Sequence, residues 1–320
     1  MSRDWDKRIV VVVGVGRSGT SLLQAMLHRH RHISFLPETH IFRRYIGPSL
    51  RRYWNQARGG QALAKRLKKD REFSRAQIDP EILLEGASRD GGRFQVHDVY
   101  LELLKEHAIR RDVRVVGDKD PRLMDFLPAL ARYVPGASIL HIVRDPRDVL
   151  VSRRKAGWSG GRSDLSHLLV YRAQMRRGRT TGRRCFGERY RELRYEDLLR
   201  RPEETLTSVC RHIGVQYDPG MLDFGESARE LIAEEEWGWK KNMVGPLMSG
   251  NIGNWEEELS PEVRRRVEGL CMDPFNDLDY LPGDEDQGSG RNVAGRLTAW
   301  MAQGLAALTT HLYPIRTCFG

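Results

Sequence analysis

Apolar residues recur along this chain in two alternating rhythms. Arg8–Val13 is a continuous, largely β-branched run, the pattern of a strand buried on both faces. Leu22, Leu23, Met26 and Leu27 follow at helical spacing. His32–Leu36, Val113–Val116, Ser138–Val143 and Arg189–Arg194 predict four more short strands. Strands alternating with helical stretches predict an α/β fold of three layers around a central parallel sheet. Between about 47 and 111 the rhythm is helical instead. Ala62–Lys69, Pro80–Gly86 and Val99–Ile109 predict helices of an insertion over the sheet, and a second insertion, rich in arginine and glycine, spans about 155–185.

Residues 1–284 read as one domain and 285–320 as a polar linker and an amphipathic helix. In that helix, Leu297, Trp300, Met301, Leu305, Leu308 and Leu312 form an apolar stripe suited to the domain itself, a second copy or a surface contact. Gln303, Gly304, Thr309 and Thr310 dilute it below a transmembrane segment. Ile9–Val13 is too short for the apolar part of a secretory signal.

Of 320 residues, 40% are apolar and 30% charged, enough for a buried core and too polar for a polytopic membrane protein. The net charge of +10 points to an anionic ligand. Nucleic acid is excluded as the partner, because the arginine-rich stretch has only Trp158 and Tyr171 beside it and no recognisable module. Cys185, Cys210, Cys271 and Cys318 are scattered, which predicts reduced thiols in a cytoplasmic protein and no metal site.

Gly14-Val15-Gly16-Arg17-Ser18-Gly19-Thr20-Ser21 lies between the first strand and the first helix. It matches the phosphate-loop pattern G-x-x-x-x-G-K-[ST] at Gly14, Gly19 and Ser21, with Thr20 in place of lysine. The curled amides and the helix N-terminus make an anion site, hence a P-loop-like fold. Without the lysine, and with no aspartate placed to hold magnesium, a phosphotransferase is disfavoured.

Arg17-Ser18-Gly19-Thr20-Ser21 resembles the 5′-phosphosulfate loop of the sulfotransferases that use 3′-phosphoadenosine 5′-phosphosulfate (PAPS). A second match is an apolar strand ending in arginine with a serine eight positions later, here Arg144 and Ser152, which in that family grips the 3′-phosphate. Arginine at a strand's carboxyl end faces the ligand crevice of an open α/β sheet, and its planar fork suits a phosphate. Arg194-Tyr195-Glu196-Asp197-Leu198 resembles a segment whose tyrosine lies against adenine, implying that role for Tyr195. Gly250-Asn251-Ile252-Gly253-Asn254-Trp255 resembles the late segment closing over the 3′-phosphate, implying contacts from Gly253 and Asn254. Asn254 stands where many members are basic, with Lys240 and Lys241 nearby to supply charge.

The resemblance spans residues 8–280 and implies sulfuryl transfer to a hydroxyl of a small molecule, carbohydrate, lipid or peptide, with 3′-phosphoadenosine 5′-phosphate (PAP) as product and no metal. A phosphotransferase and a non-catalytic PAP-binding protein are the other readings. Among the catalytic residues, Arg17 takes the place of a loop lysine, and Lys119, in Gly117-Asp118-Lys119-Asp120-Pro121, implies the cation on the leaving oxygen. Glu38, in Leu36-Pro37-Glu38-Thr39-His40, matches the glutamate base of the tyrosylprotein and carbohydrate branch; His40 is the other candidate. Lys119 paired only with Asp118 or Asp120 is the structural alternative, and His28, His30 and His32 read as surface histidines.

Overall fold

A computed structural model describes residues 5–46, 54–55, 59–88, 94–157, 162–240, 244–245, 247, 249–271 and 280. The five strands form where the apolar runs predict them: β1 (Ile9–Val13), β2 (Ile33–Phe35), β3 (Val115–Lys119), β4 (Ser138–Val143) and β5 (Tyr190–Arg194). They pair in parallel in the order β2-β3-β1-β4-β5. Every residue of β1 is buried, and its alternation divides the core. Ile9, Val11 and Val13 face one hydrophobic cluster, while Val10 and Val12 face the other. The second cluster holds α1 (Thr20–His28) and Leu206 and Val209 of a later helix, Pro202–His212. The first holds α2 (Val96–Arg110), α3 (Pro146–Arg154) and α4 (Asp164–Phe186).

Three sequence expectations need correction. The third strand runs to Lys119 rather than stopping at Val116, because β1 pairs Val12 with Lys119. Val113 lies outside it, its N–H bonding the Ala108 carbonyl at the end of α2. The arginine-rich stretch, read as an insertion, contains a 23-residue helix that is part of the layer itself. A Cβ on Gly178 would lie 2.4 Å from Met124 Sδ, and one on Gly182 would lie 2.2 Å from the Tyr190 ring. These glycines bring α4 close to its neighbours. Arg172 and Arg179 are buried, Arg179 against Glu192 at 3.0 Å, whereas Arg176, Arg183 and Arg184 are exposed. Finally, His30 is buried, with Nε2 2.8 Å from the Gln216 carbonyl, and His28 accepts the Phe35 N–H at 2.8 Å. Both hold the α1–β2 turn.

The segment between β2 and β3 is helical over Gly59–Leu67, Pro80–Ala87 and α2. Pro80–Ala87 starts where predicted, with Asp79 as its cap accepting the Glu81 N–H at 3.0 Å, and α2 starts three residues before the predicted Val99. The linker, the C-terminal stripe, Lys241 and Cys318 lie outside the described residues. Among the described residues no helix is long and apolar enough to cross a membrane, and no group of three or more histidine, cysteine, aspartate or glutamate side chains could hold a metal.

Candidate active site

The loop from Gly14 to Gly19 leaves the carboxyl end of β1 and turns tightly into α1. A Cβ on Gly14 would sit 2.6 Å from the Ile142 carbonyl oxygen. Gly19 has φ +92°, and a Cβ there would meet Tyr195 Cδ2 at 2.3 Å. Arg17 adopts φ +79°, a left-handed conformation that costs a non-glycine residue roughly 1–3 kcal/mol and persists only where the surroundings over-determine it. Those surroundings are visible. Arg17 Nε donates to Ser152 Oγ at 3.0 Å, and Arg144 Nη1 donates to the Arg17 carbonyl at 3.1 Å. Two sequence clusters over 120 residues apart therefore meet in one place.

Arg144 is held from several sides. Its Nη2 donates to the Asn251 carbonyl at 2.6 Å, its guanidinium lies 4.5 Å from the Tyr195 ring centroid, and Tyr171 Oη donates to its carbonyl at 2.6 Å. Asp145 does not pair with it. That carboxylate caps α3 and binds Arg147 at 2.7 Å. The Tyr195 ring, only 6% exposed, braces Arg144 on its face and Gly19 at its edge. Burial raises its phenol above the ordinary tyrosine value. The late segment is latched to α3, because Asp148 accepts the N–H groups of Gly253 at 2.9 Å and Trp255 at 3.1 Å. Asn254 sits half-buried between them. Sequence reasoning missed the Asp148 latch, although the second aspartate of Arg144-Asp145-Pro146-Arg147-Asp148 was a usable signal.

The acceptor end is assembled from four separate segments. β2 pairs Phe35 with Gly117, so Glu38 emerges beside Lys119 at the end of β3. Lys119 Nζ binds Glu38 Oε1 and also donates to Ser21 Oγ at 3.0 Å. Its expected alternatives, Asp118 and Asp120, are engaged elsewhere. Asp118 accepts from Tyr100 Oη at 2.9 Å, and burial pushes its pKa up to about 6. Asp120 binds Arg43 at 2.5 Å and His40 at 2.9 Å; burial opposes its ionisation, but Arg43 and then His40 hold it well below the usual range. His40, at φ +54°, thus points its Nδ1 at Asp120. Lys240 belongs to this end and not to the 3′ side where the sequence placed it. Its Nζ lies 3.0 Å from Glu38 Oε1 and 2.7 Å from Glu236 Oε1.

The electrostatics differ between the two lysines. Burial lowers the Lys119 pKa, and Lys240 pushes it the same way, against the pull of Glu38. Burial also opposes charge on Lys240, but Glu38 and Glu236 together raise it. For Glu38, burial favours the neutral acid, yet Lys119 and then Lys240 outweigh it and drive the pKa far down. At the loop end, burial and then Arg144 lower the Arg17 pKa. Two buried polar atoms there, Ser18 Oγ and Arg144 Nε, have no hydrogen-bond partner among the described residues.

Residues 10–219 match the Sulfotransferase family. The chain belongs to that family. It is 24% identical over 269 residues to protein-tyrosine sulfotransferase 1 of Danio rerio, covering 81% of this chain and 69% of that protein. To carbohydrate sulfotransferase 1 of the same species it is 22% identical, covering 53% of this sulfotransferase and 44% of the relative. The solved sulfotransferase domain of the Synechococcus PCC 7002 olefin synthase superposes with a TM-score of 0.55 at 21% identity, covering 79% of this chain and 89% of that one. That likeness establishes the P-loop-like α/β fold. The protein is a transferase whose activity is PAPS-dependent sulfuryl transfer; the phosphotransferase and the non-catalytic binder are not favoured.

Proposed function

We propose that this sulfotransferase moves the sulfuryl group of PAPS to a hydroxyl of a peptide, carbohydrate, lipid or small-molecule acceptor without a metal, with Glu38 as base and Lys119 and Arg17 as cations. The observation that carries this reading is the meeting of Arg17, Ser152 and Arg144 beside Ser18 Oγ and Arg144 Nε, two buried polar atoms left unpaired among the described residues. Such orphans cost about 1–3 kcal/mol each and are relieved by an anionic ligand. This supports a fit to PAPS, with Arg17 to Ser21 holding its 5′ end and Arg144 and Ser152 its 3′-phosphate. Gly253 and Asn254 stand beside that end, and Tyr195 holds Arg144 in place. When bound, PAPS supplies the activated sulfuryl group and leaves as PAP.

The remaining work falls to the chain's own residues. Glu38 takes the acceptor's hydroxyl proton as the new oxygen–sulfur bond forms and the bond to the 5′-phosphate breaks. Lys119 meets the negative charge that collects on the leaving oxygen, within reach of Ser21. The relatives' names, protein-tyrosine and carbohydrate sulfotransferase, support a hydroxyl acceptor. Two experiments test the reading. Calorimetry is expected to show PAP binding without magnesium and more tightly than ATP; the reverse order overturns it. In a screen of acceptors with labelled PAPS, Glu38→Gln is expected to slow transfer about 10²–10⁴-fold, and unchanged transfer would remove Glu38 as base.

A further inference from the structure

A carboxylate in contact with two ammonium groups is a weak base, and Glu38 is so placed. Lys119 and Lys240 both bind its Oε1. With both ammonium groups in contact the carboxylate holds a proton poorly on either oxygen, so one lysine must withdraw for it to act as base. Lys119 is 1% exposed, and its remaining partner is a neutral hydroxyl, Ser21 Oγ. Withdrawing it from Glu38 would leave a buried ammonium with no carboxylate in contact, a cost of several kcal/mol. Lys240 has a second carboxylate already in place, Glu236 Oε1 at 2.7 Å, one helical turn away. It can leave Glu38 and stay paired.

We propose that Lys240 is a positioning residue for this reaction: it bonds Glu38 at rest, and the acceptor hydroxyl displaces it onto Glu236, which leaves one ammonium fewer on the carboxylate as it takes the proton. This rests on Glu38 being the base. The charged groups facing Glu38 are Lys119 from β3, Lys240 from the segment after Glu236, and His40 with Asp120 beside them. Asp118, the next acid, is turned toward Tyr100. Glu236 also feels Arg17, so the Lys240–Glu236 pair adjoins the phosphate loop's cation. Of these, only Lys240 is shown joining Glu38 to a second acid.

The test reads Glu38 directly. In protein labelled with carbon-13 at glutamate carboxyls, the Glu38 signal, assigned by its loss in Glu38→Gln, is expected to stay ionised in the wild type as far down as the fold survives. In Lys240→Gln it is expected to titrate at least one pH unit higher, since one of two adjacent opposite charges has gone. Lys240→Arg is expected to keep the wild-type behaviour. Glu236→Gln is expected to leave Glu38 ionised while slowing transfer at least about tenfold, because Lys240 loses its second partner. PAP binding by calorimetry is expected to change by less than about threefold in Lys240→Gln and Lys240→Arg, because Lys240 acts on Glu38 and not on the donor. An unmoved Glu38 titration in Lys240→Gln, or full turnover in Glu236→Gln, overturns the proposal. If Glu38→Gln transfers sulfate at the wild-type rate, the base assignment falls, whatever the titration shows.

Discussion

At the loop end of the site, Ser18 Oγ and Arg144 Nε are buried without a partner among the described residues, while Ser152 holds the Arg17 side chain and Tyr171 and Asn251 hold Arg144. At the acceptor end, Glu38, Lys119, Lys240 and Glu236 satisfy one another. The first end is rigid and under-bonded, so an anion can dock with little rearrangement. The second is held by ion pairs, and the proposed release of Glu38 by Lys240 breaks one of them. Binding and turnover should therefore respond to different substitutions.

The largest effect that would expose this division is on Lys119. Lys119→Met keeps much of the buried volume and removes the charge. It is expected to lower kcat by about 10²–10³, with PAP affinity changed less than about tenfold. Steady-state kinetics beside calorimetry checks it. A loss of PAP affinity as large as the loss of kcat would make the two ends one unit.

Arg144→Ala should invert that pattern. Several charge-assisted hydrogen bonds vanish, and the expected outcome is a PAP Kd raised about 10²-fold, with kcat at saturating PAPS falling far less. The same titration reads it. Retained PAP affinity would mean that the unpaired Nε faces no ligand.

The two ends also differ in how much of them could be read from the sequence. The loop is eight contiguous residues whose glycines have local steric reasons, and Ser152 stands at the fixed spacing from Arg144 that the family resemblance implies. Short-range chemistry of that kind is written in spacing. β1 and β4 were legible in the same way, since apolar runs buried on both faces leave a plain pattern. Lys240 was not legible in its true place. It lies 202 residues from Glu38, and only the chain's return over the sheet makes them neighbours. The arginine-rich stretch misled for a different reason. Its glycines look like turn residues, yet Gly178 and Gly182 are close-packing positions inside a helix capped by Ser163. His30 likewise looked like a surface residue until the Gln216 carbonyl came beside it.

Gly19 tests how rigid the loop end is. Alanine there would carry both φ +92° and a Cβ 2.3 Å from Tyr195. Gly19→Ala is expected to cost roughly 1–3 kcal/mol of stability and to weaken PAP binding by moving Tyr195 under Arg144. Urea denaturation beside calorimetry measures both. A variant as stable as wild type, with unchanged PAP affinity, would show that the loop adapts and is not pre-set.

The smallest effect is at Ser152, and it bears most finely on the boundary between the two ends. Its hydroxyl accepts from Arg17 Nε, and the alanine variant leaves that guanidinium half-buried and one bond short. Net loss of one such bond is about 0.5–1.5 kcal/mol, so PAP Kd is expected to rise about 2- to 12-fold in Ser152→Ala. Turnover at saturating PAPS should stay close to wild type if Ser152 acts only through the anion cradle. A fall in kcat with unchanged Kd would instead mean that Ser152 acts by aiming Arg17 at the developing charge rather than by holding the anion.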